Sequence, residues 1–383
     1  MVDAAHARVS PSSLHRIRIC PASLVMQEAF PHLPWEDDES SAEGTCAHWV
    51  LAQALTSVVQ LADMEGELDP AGTPVTDEML DGVELAVDAV DELLAKHGAT
   101  RADLVVEQPV AITRIHASCW GTPDIRFWSP RTGTLVVIDF KFGFRYVEEF
   151  ENDQLVAYTV GEMDTQGVID TMTPCSNVII QPRAYGKSPV REWNFMGSDV
   201  RAFVNIMTSA VEAALMPNPV AVATPDGCRN CRARNGCPTN QIAGQIAMSY
   251  SSHPQPLDLP PVALSTELRF AEHQLGLLQS RVTGLEAQAK YLIEQGQRLP
   301  HHVLKAGSGR TVWLMPDDQV VAMGPALGLN LAKKAKPITV KQAIEAGLNT
   351  ALLPALSTTR PGAMKLAADD GSTARRVFGG SAT

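Results

Sequence analysis

The chain has 383 residues, of which 45% are apolar and 19% are charged, and its formal net charge is −12. This length exceeds the usual size of one hydrophobic core and predicts two domains, while the apolar content excludes a wholly disordered chain. No run of about 18 apolar residues is present, which excludes a membrane-spanning helix, and we find no secretory signal at the N-terminus. Seven cysteines, an odd number, disfavour a disulfide framework, so we expect a cytoplasmic protein.

The negative charge is concentrated in two acidic segments. Residues 36–43 contain five acidic residues and no base, and residues 61–98 contain eleven acidic residues and one base, Lys96. These segments carry −15 of the charge, so the rest of the chain sums to +3. The net charge therefore does not exclude a nucleic-acid partner. The acidic segments are interpreted either as solvated surface or as an acidic flap beside a mildly basic working face.

Hydrophobic periodicity predicts helices that alternate with strands. The PRTG turn at 130–133 joins two of the strands and predicts a hairpin. The predicted helices cover 45–60 (with Thr45 as a possible cap), 76–97, 151–163, 198–215 and about 264–295, and the predicted strands cover 103–112, 121–128, 134–140, 176–182 and 189–195. This order predicts an α/β fold with a mixed sheet.

The chain is predicted to divide near residue 250. Residues 1–250 hold the α/β pattern, and a Pro-rich linker at 251–261 follows it. The second region, 251–383, then contains the long helix and a mixed C-terminal extension whose last part is rich in Ala, Gly, Ser and Thr. Residues 298–341 hold seven bases against two acidic residues, so this region has a basic character.

One segment combines two carboxylates with a lysine. Asp139 and Lys141 lie two residues apart on a predicted strand and so project from the same face, while Phe140 points to the opposite face. The hairpin turn would fold Asp124 back toward them. Converging carboxylates repel each other and favour a divalent cation between them, and a neighbouring lysine can hold water or neutralise charge on a phosphate. The alternative is an ordinary ion pair at the end of a strand.

Four further residues could belong to the same site. His48 lies in a predicted helix, where a lone histidine is usually only packed or exposed, but beside two carboxylates it becomes a candidate metal ligand. Glu107 lies within a predicted apolar strand and either completes the metal shell or faces solvent. Gln154 and Tyr158, four residues apart, share one face of the helix that follows the hairpin.

The order of these residues resembles the RecB-type branch of the PD-(D/E)XK nuclease superfamily. The resemblance covers roughly residues 10–240 and rests on the pattern His48, Glu107, GTPD ending at Asp124, DFK from Asp139 to Lys141, and QxxxY from Gln154 to Tyr158. It implies a restriction-endonuclease-like core, with a central mixed sheet flanked by helices. In that branch the first Asp, the Asp of the D-x-K pair and the histidine bind Mg²⁺ or Mn²⁺, the lysine assists the hydrolytic water, and the Gln/Tyr helix contacts DNA. The implied metal ligands here are His48, Asp124, Asp139 and the Phe140 carbonyl, with Lys141 catalytic.

A cysteine-rich loop forms a second constellation. Cys228, Cys231 and Cys237 follow a C-x2-C-x5-C pattern, and three thiols within ten residues need a fourth ligand for a tetrahedral metal or a cubane cluster. Cys20 is the expected fourth ligand, because its Cys-Pro pairing recurs at Cys237. A structural zinc site with four thiolates satisfies the same spacing. The remaining cysteines are interpreted as buried apolar residues: Cys46, Cys119 and Cys175.

A second resemblance favours iron over zinc in this loop. One N-terminal cysteine followed by a C-terminal C-x2-C-x5-C triplet is similar to the iron–sulfur staple of AddB-type and CRISPR-associated RecB-like exonucleases. The resemblance implies a structural [4Fe–4S] cluster that ties together the ends of the nuclease domain, a long closure of the kind that can be strongly stabilising. Three arginines, Arg229, Arg232 and Arg234, alternate with the ligands and either line a DNA path or are solvated.

These features together predict a metal-dependent DNA nuclease. The expected activity is exonucleolytic cleavage of single strands or duplex ends in phage or bacterial recombination and repair, with a recombination or single-strand-binding protein as a possible partner. The region beyond residue 250 resembles the C-terminal part of an uncharacterised, phage-associated RecB-like family. It is interpreted as a helical clamp, an oligomerisation element or a DNA-gripping extension.

Two alternatives belong to other functional classes. One is a catalytically silent DNA-binding or assembly protein that keeps the nuclease fold, which the presence of all the acidic and lysine positions disfavours. The other is a zinc-stapled DNA-binding module. Loss of activity in a Lys141 variant separates the nuclease from the first alternative, and the metal bound by the cysteines separates it from the second.

Overall fold

A computed structural model describes residues 7–30, 38–57, 59–169, 171–184, 187–251 and 259–304. Contacts between residues divide the chain into two units, Met1–Val303 and Leu304–Thr383. Of the second unit only Leu304 is described, so the described fold belongs to the first unit. Most of the basic stretch at 298–341 and part of the acidic segment at 36–43 lie outside the described residues, and the domain boundary near residue 250 stays a prediction.

Nine α-helices and seven strands make up the described part of the first unit. The helices are α1 (Pro11–Ile19), α2 (Ser23–Glu28), α3 (Asp38–Thr56), α4 (Asp77–His97), α5 (Asp153–Thr165), α6 (Val200–Leu215), α7 (Pro225–Arg229), α8 (Pro238–Ser251) and α9 (Pro261–Glu294). The strands are β1 (Val105–Val106), β2 (Val110–Ala111), β3 (Trp120–Gly121), β4 (Ile125–Trp128), β5 (Leu135–Phe140), β6 (Pro174–Ile180) and β7 (Val190–Met196).

Five strands form a mixed central sheet in the order β1-β4-β5-β6-β7. The β5–β6 pair is parallel and the other three pairs are antiparallel. Parallel neighbours cannot be joined by a tight turn, and here α5 supplies the crossover. Strands β2 and β3 form a separate two-stranded sheet. The predicted α/β class, the mixed sheet and the hairpin between β4 and β5 are confirmed.

The sheet is buried between two helical layers. On one face, Leu135 and Val137 of β5 pack in a core shared with α1, α5 and α6. On the other face, Val136, Ile138 and Phe140 pack with α3 and α4. Because successive side chains of a strand point to opposite faces, β5 contributes to both cores, and all six of its residues are buried.

Helix α4 begins and ends where its sequence predicts. The Thr76 side chain caps the helix by accepting a hydrogen bond from the backbone N–H of Met79, and Gly98 ends it in the left-handed conformation. Acidic residues fill its first turn and Lys96 and His97 its last, which suits the helix dipole. This helix carries much of the acidic segment at 61–98 on its exposed face.

Three of the predicted elements are wrong in extent. The strand predicted at 121–128 is a strand only from Ile125, because Gly121 belongs to the small sheet and Asp124 lies between the two strands. The helix predicted at 45–60 begins at Asp38 and ends at Thr56, so Thr45 lies inside it and is not its cap. The strand predicted at 103–112 is two short strands in different sheets. Glu107 has a positive φ of 48° between them. Pro109 has no N–H to donate to a ladder, which explains why the strand does not continue.

Helix α5 approaches the small sheet closely at Gly161. A Cβ atom at this position would lie 2.7 Å from the backbone oxygen of Ala111 and 2.9 Å from Ile112. We expect Gly161→Ala to lower the free energy of unfolding by roughly 1–3 kcal/mol, because the backbone cannot move aside as a side chain can. Urea unfolding followed by circular dichroism measures this.

The matched control is Gly44→Ala in helix α3. A Cβ atom there meets nothing within 4 Å, so the better helix propensity of alanine should leave stability unchanged or raise it by up to about 1 kcal/mol. Equal behaviour of the two variants would contradict the close packing of α5.

Candidate functional site

The site lies where strand β5 ends. Asp139 shares its face with Leu135 and Val137 and so points toward α5. The backbone N–H of Lys141 donates to the carbonyl of Ile180, which continues the pairing with β6 beyond the strand. The Lys141 ammonium donates to Asp139 Oδ1 at 3.0 Å. The predicted projection of Asp139 and Lys141 from one face is confirmed.

The hairpin brings Asp124 to the same place. Ile125 pairs with Ile138, so the residue before β4 lies beside the end of β5. The Asp124 Oδ2 atom accepts a hydrogen bond of 2.7 Å from the backbone N–H of Phe140. This bond fixes one carboxylate oxygen and leaves Oδ1 directed toward helix α3.

Helix α3 supplies His48. Its Nδ1 atom lies 3.2 Å from Asp124 Oδ1 and 3.8 Å from a Glu107 carboxylate oxygen. The imidazole ring meets the Phe140 ring edge to face, with the centroids 5.4 Å apart. Phe140, the buried residue between Asp139 and Lys141, therefore packs against His48 on the face of β5 opposite to the Asp139 side chain.

Glu107 reaches the group through an unusual backbone. It lies just after β1 with φ of 48°, a left-handed conformation that costs a residue with a Cβ atom roughly 1–2 kcal/mol. Its N–H donates to the carbonyl of Asp124 at 2.9 Å, which holds the turn in place. Strain of this kind concentrates at functional sites. The sequence placed Glu107 within a strand, so this geometry was not predicted.

Three residues form a candidate cation site. Ligand atoms of His48, Glu107 and Asp124 all lie within 4.8 Å of one another. Imidazole and carboxylate ligands together suit Mn²⁺, and carboxylates suit Mg²⁺. The resemblance implied Asp139 as a ligand, but the structure puts Asp139 beside this group, and the Phe140 carbonyl as a ligand stays a prediction.

The charges of the site are strongly coupled. Burial opposes protonation of His48, but the charge and hydrogen bond of Asp124 outweigh it and raise the histidine pKa to about 10. Burial likewise opposes ionisation of Asp124, whose pKa is nevertheless lowered by His48 and Lys141. For Asp139 burial prevails over the Lys141 charge and raises the pKa to about 6. The imidazolium thus lies where a cation would neutralise the carboxylates.

Helix α5 contributes one polar side chain to the site. Gln154 Nε2 donates to Asp139 Oδ1 at 3.2 Å, so this oxygen receives both Gln154 and Lys141. Tyr158 is 5% exposed, and its hydroxyl donates to the carbonyl of Thr122. Burial raises the tyrosine pKa. The structure therefore places Tyr158 in the packing beneath the site, where little of its surface could reach DNA.

The four expected cysteines lie near one another in the first unit. Cys20 ends helix α1, and its sulfur accepts a hydrogen bond of 3.3 Å from the backbone N–H of Val222. Burial, together with the neighbouring Cys20, Cys231 and Cys237, raises the pKa of the Cys228 thiol to about 12. All four are free thiols. The chain thus brings together cysteines from positions 20 and 228–237.

Helix α9 covers the cysteine loop. Ser280 donates to the carbonyl of Cys228 at 2.9 Å. A Cβ atom at Gly276 would lie 2.6 Å from Pro225, and one at Gly284 would lie 2.9 Å from the backbone nitrogen of Asn235. Two glycines therefore allow the helix backbone to approach the loop. The sequence had no signal for this contact, because glycines inside a helix have several meanings.

The three arginines of the loop have different surroundings. Arg229 is exposed, whereas Arg232 is half-buried and burial lowers its pKa. Arg234 packs near Gly284 of α9 and donates to the carbonyl of Arg229. Arg229 is thus the one of the three best placed to meet a partner, and contact with DNA stays a prediction for all of them.

The other three cysteines are buried in the cores, as predicted. Cys46, Cys119 and Cys175 are each at most 1% exposed. Burial raises the pKa of Cys46 to about 11 and that of Cys175 to about 12, so these thiols stay protonated at neutral pH. They act as small apolar side chains.

A family model described as "Protein of unknown function (DUF2800)" matches residues 6–344. The match covers most of the 383 residues. The chain belongs to this family. In the part of the chain that the structure describes, no helix combines the length and the apolar character that crossing a membrane requires. Membership of DUF2800 leaves the activity to be argued from the site itself.

We expect Mn²⁺ binding to release about one proton near pH 7.5, because His48, with a pKa of about 10, must become neutral to bind a metal. Affinity should accordingly rise with pH up to about 10, the pKa of His48. Titration calorimetry in two buffers with different heats of ionisation measures the proton release.

In His48→Gln the proton release should disappear and the Mn²⁺ affinity should fall. His116→Ala, at a half-buried histidine that bonds only with Ser118 among the described side chains, is the matched control. Binding heats that do not depend on the buffer in the unaltered protein would contradict His48 as a ligand.

Proposed function

We propose that this protein is a metal-dependent DNA nuclease of the RecB-like type. The observation that carries the proposal is the convergence of three side chains at the end of β5. Lys141 donates a hydrogen bond to Asp139, and Asp124 accepts one from the backbone N–H of Phe140, the residue between them. A simple ion pair at a strand end does not require a second carboxylate, a histidine and a strained glutamate within 4.8 Å of one another. The expected substrate is a DNA single strand or duplex end.

The order of elements supports the same proposal. The elements follow one another in the order helix (α3 or α4), strand (β1), hairpin (β4–β5), helix (α5) and parallel strand (β6). The resemblance to the RecB-type branch implies such a core, with the D-x-K pair on the central strand. The strand that bears Asp139 and Lys141 is the central one of the five.

The residues present fit a divalent cation. His48, Glu107 and Asp124 offer one imidazole nitrogen and two carboxylates, and these ligand atoms are already close together. When bound, Mg²⁺ or Mn²⁺ polarises a phosphate oxygen and offsets its charge. The nitrogen ligand should favour Mn²⁺ over Ca²⁺, which prefers oxygen ligands.

The remaining side chains act on the phosphate and the water. The Lys141 ammonium, 30% exposed, can orient the attacking water or neutralise negative charge that develops on the phosphate. Asp139 accepts a hydrogen bond from this ammonium on the buried side, and Gln154 in turn donates to Asp139. The water oxygen forms a bond to phosphorus, and the bond from phosphorus to one ester oxygen breaks. The water gives up one proton in this step, and the leaving ester oxygen takes up one proton.

We propose that the four cysteines hold a [4Fe–4S] cluster with a structural role. Burial and the neighbouring thiols raise the pKa of Cys20, Cys228 and Cys231. The resemblance to the iron–sulfur staple, with one N-terminal cysteine and a C-terminal C-x2-C-x5-C triplet, favours iron over zinc. In a cubane cluster each of the four thiolates would bind a different iron.

We expect the unaltered protein to degrade end-labelled DNA when Mn²⁺ is added and not when the metal is chelated. Lys141→Ala should lower the cleavage rate by roughly 100-fold or more, because the lysine offsets transition-state charge. Single- and double-stranded substrates, labelled at either end, report strand preference and polarity in the same gel assay.

Lys96→Ala is the matched control for this assay. Lys96 is a surface lysine that pairs with Glu192 away from the site, so its removal should leave the cleavage rate unchanged. If the Lys141→Ala protein cleaves DNA as fast as the unaltered protein, the proposed active site is wrong. DNA binding without any cleavage would favour the catalytically silent assembly protein.

Protein purified without oxygen should be brown and contain about four irons per chain. Cys237→Ser should lose the colour, whereas Cys175→Ala, at a buried cysteine outside the loop, should keep it. Visible absorbance and metal analysis measure this. A colourless protein with one zinc per chain would instead identify the four-thiolate zinc site.

A further inference from the structure

His15 of helix α1 lies between two carboxylates from other elements. Its Nδ1 atom is 2.8 Å from Asp153 Oδ2, and its Nε2 atom is 2.5 Å from Asp226 Oδ2. A carboxylate is an acceptor only, so contacts at both ring nitrogens require both to carry a proton. The hydrogen bonds of Asp153 and Asp226 raise the His15 pKa to about 9, which agrees with a doubly protonated ring at neutral pH.

One of the two carboxylates belongs to the helix that touches the active site. Asp153 is the first residue of α5, and its side chain is only 7% exposed. It also accepts a hydrogen bond of 2.8 Å from Arg18 of α1. The next residue, Gln154, donates to Asp139. The contacts of Asp153 therefore fix the turn of α5 from which Gln154 reaches the active site.

The other carboxylate belongs to the cysteine loop. Asp226 lies in the short helix α7, two residues before Cys228. Its Oδ1 atom lies 3.3 Å from Arg145, four residues after Lys141. A single carboxylate thus joins the cysteine loop both to helix α1 and to the segment that follows the catalytic lysine.

Together these contacts form a chain across the molecule. From the cysteine loop it runs through Asp226 to His15 and Asp153, and so to the Gln154 side of the active site. A second branch runs through Arg145 to the Lys141 side. Both ring N–H groups of His15 are taken by carboxylates, which leaves the imidazolium no donor for a phosphate. A structural link therefore explains the contacts better than a substrate contact does.

We propose that His15 is a positioning residue that ties the cysteine loop to the active site, holding Gln154, through Asp153, where it orients Asp139 and Lys141. This inference rests on the proposed nuclease function. The link requires a cation that donates in two directions at once. Arginine meets that requirement and alanine does not, whereas glutamine can keep only part of the link.

The experiment compares His15→Ala, His15→Arg and the control His116→Ala in the iron-loaded full-length protein. We expect His15→Ala to lower kcat roughly 10- to 100-fold with KM changed less than about twofold, the size of effect seen when a supporting shell is lost. His15→Arg should recover most of kcat, and iron content should stay at the level of the unaltered protein. Steady-state cleavage of labelled single-stranded DNA with Mn²⁺ gives both constants.

Three kinetic results would overturn the proposal. An unchanged kcat in His15→Ala would show that the link does not position the site. A raised KM with unchanged kcat would identify His15 as a contact to the substrate instead. If the kcat of His15→Arg does not exceed that of His15→Ala, the requirement for a cation that donates in two directions is wrong. If His15→Ala does not fold, His15→Gln, with one contact retained, gives the same comparison with a smaller expected loss in kcat.

A second measurement separates this proposal from the nuclease function. Amide hydrogen exchange at the start of α5 and at residues 142–146 should be faster in His15→Ala than in the unaltered protein and the control, whether or not the protein cleaves DNA. If no form of the protein cleaves DNA but exchange is still faster in His15→Ala, the nuclease function is wrong and the link through His15 is retained. Unchanged exchange would remove the link.

Discussion

The structure depends on a central strand that is buried on both faces and yet ends in charged groups. Strand β5 contributes alternate side chains to two hydrophobic cores, so its position is fixed from both sides. Its last residues cannot move to relieve unfavourable charge without disturbing one core or the other. Asp139 is therefore held at 3% exposure, and its charge must be compensated by neighbours brought to it by the fold.

The groups around this carboxylate come from four different elements. A helix on one face of the sheet supplies His48, and a helix on the other face supplies Gln154. The residue before β4 and a strained turn add two further carboxylates, Asp124 and Glu107, which increase the need for positive charge. Backbone hydrogen bonds hold Asp124 and Glu107, and the Phe140 ring packs against His48, so the proposed active site would need little reorganisation to bind a substrate. Preorganised charge of this kind is the main source of electrostatic catalysis.

Much of this site could be predicted from the sequence, for physical reasons. The alternation of a strand places Asp139 and Lys141 on one face, and a four-residue turn between two apolar strands folds Asp124 back beside them. Both are local rules that operate within about 20 residues. The C-x2-C-x5-C spacing is equally local and identified three of the four gathered cysteines without any tertiary information.

The features that were not predicted depend on distant partners. Glu107 leaves the strand because the residues on either side of it pair with different sheets, which no local pattern reveals. The beginning of helix α3 at Asp38 and the burial of Tyr158 likewise follow from tertiary packing. His15 gave no signal of its own, because its two partners lie 138 and 211 residues away in the chain.

The position of the cysteines has a consequence for the order in which the molecule is made. Cys20 emerges early in synthesis, and its partners follow about 200 residues later, after every strand of the central sheet. A group that needs all four thiols can be inserted only when the sheet is already complete. If the four thiols hold a cluster as proposed, its insertion would mark chains in which every strand of the central sheet has been synthesised.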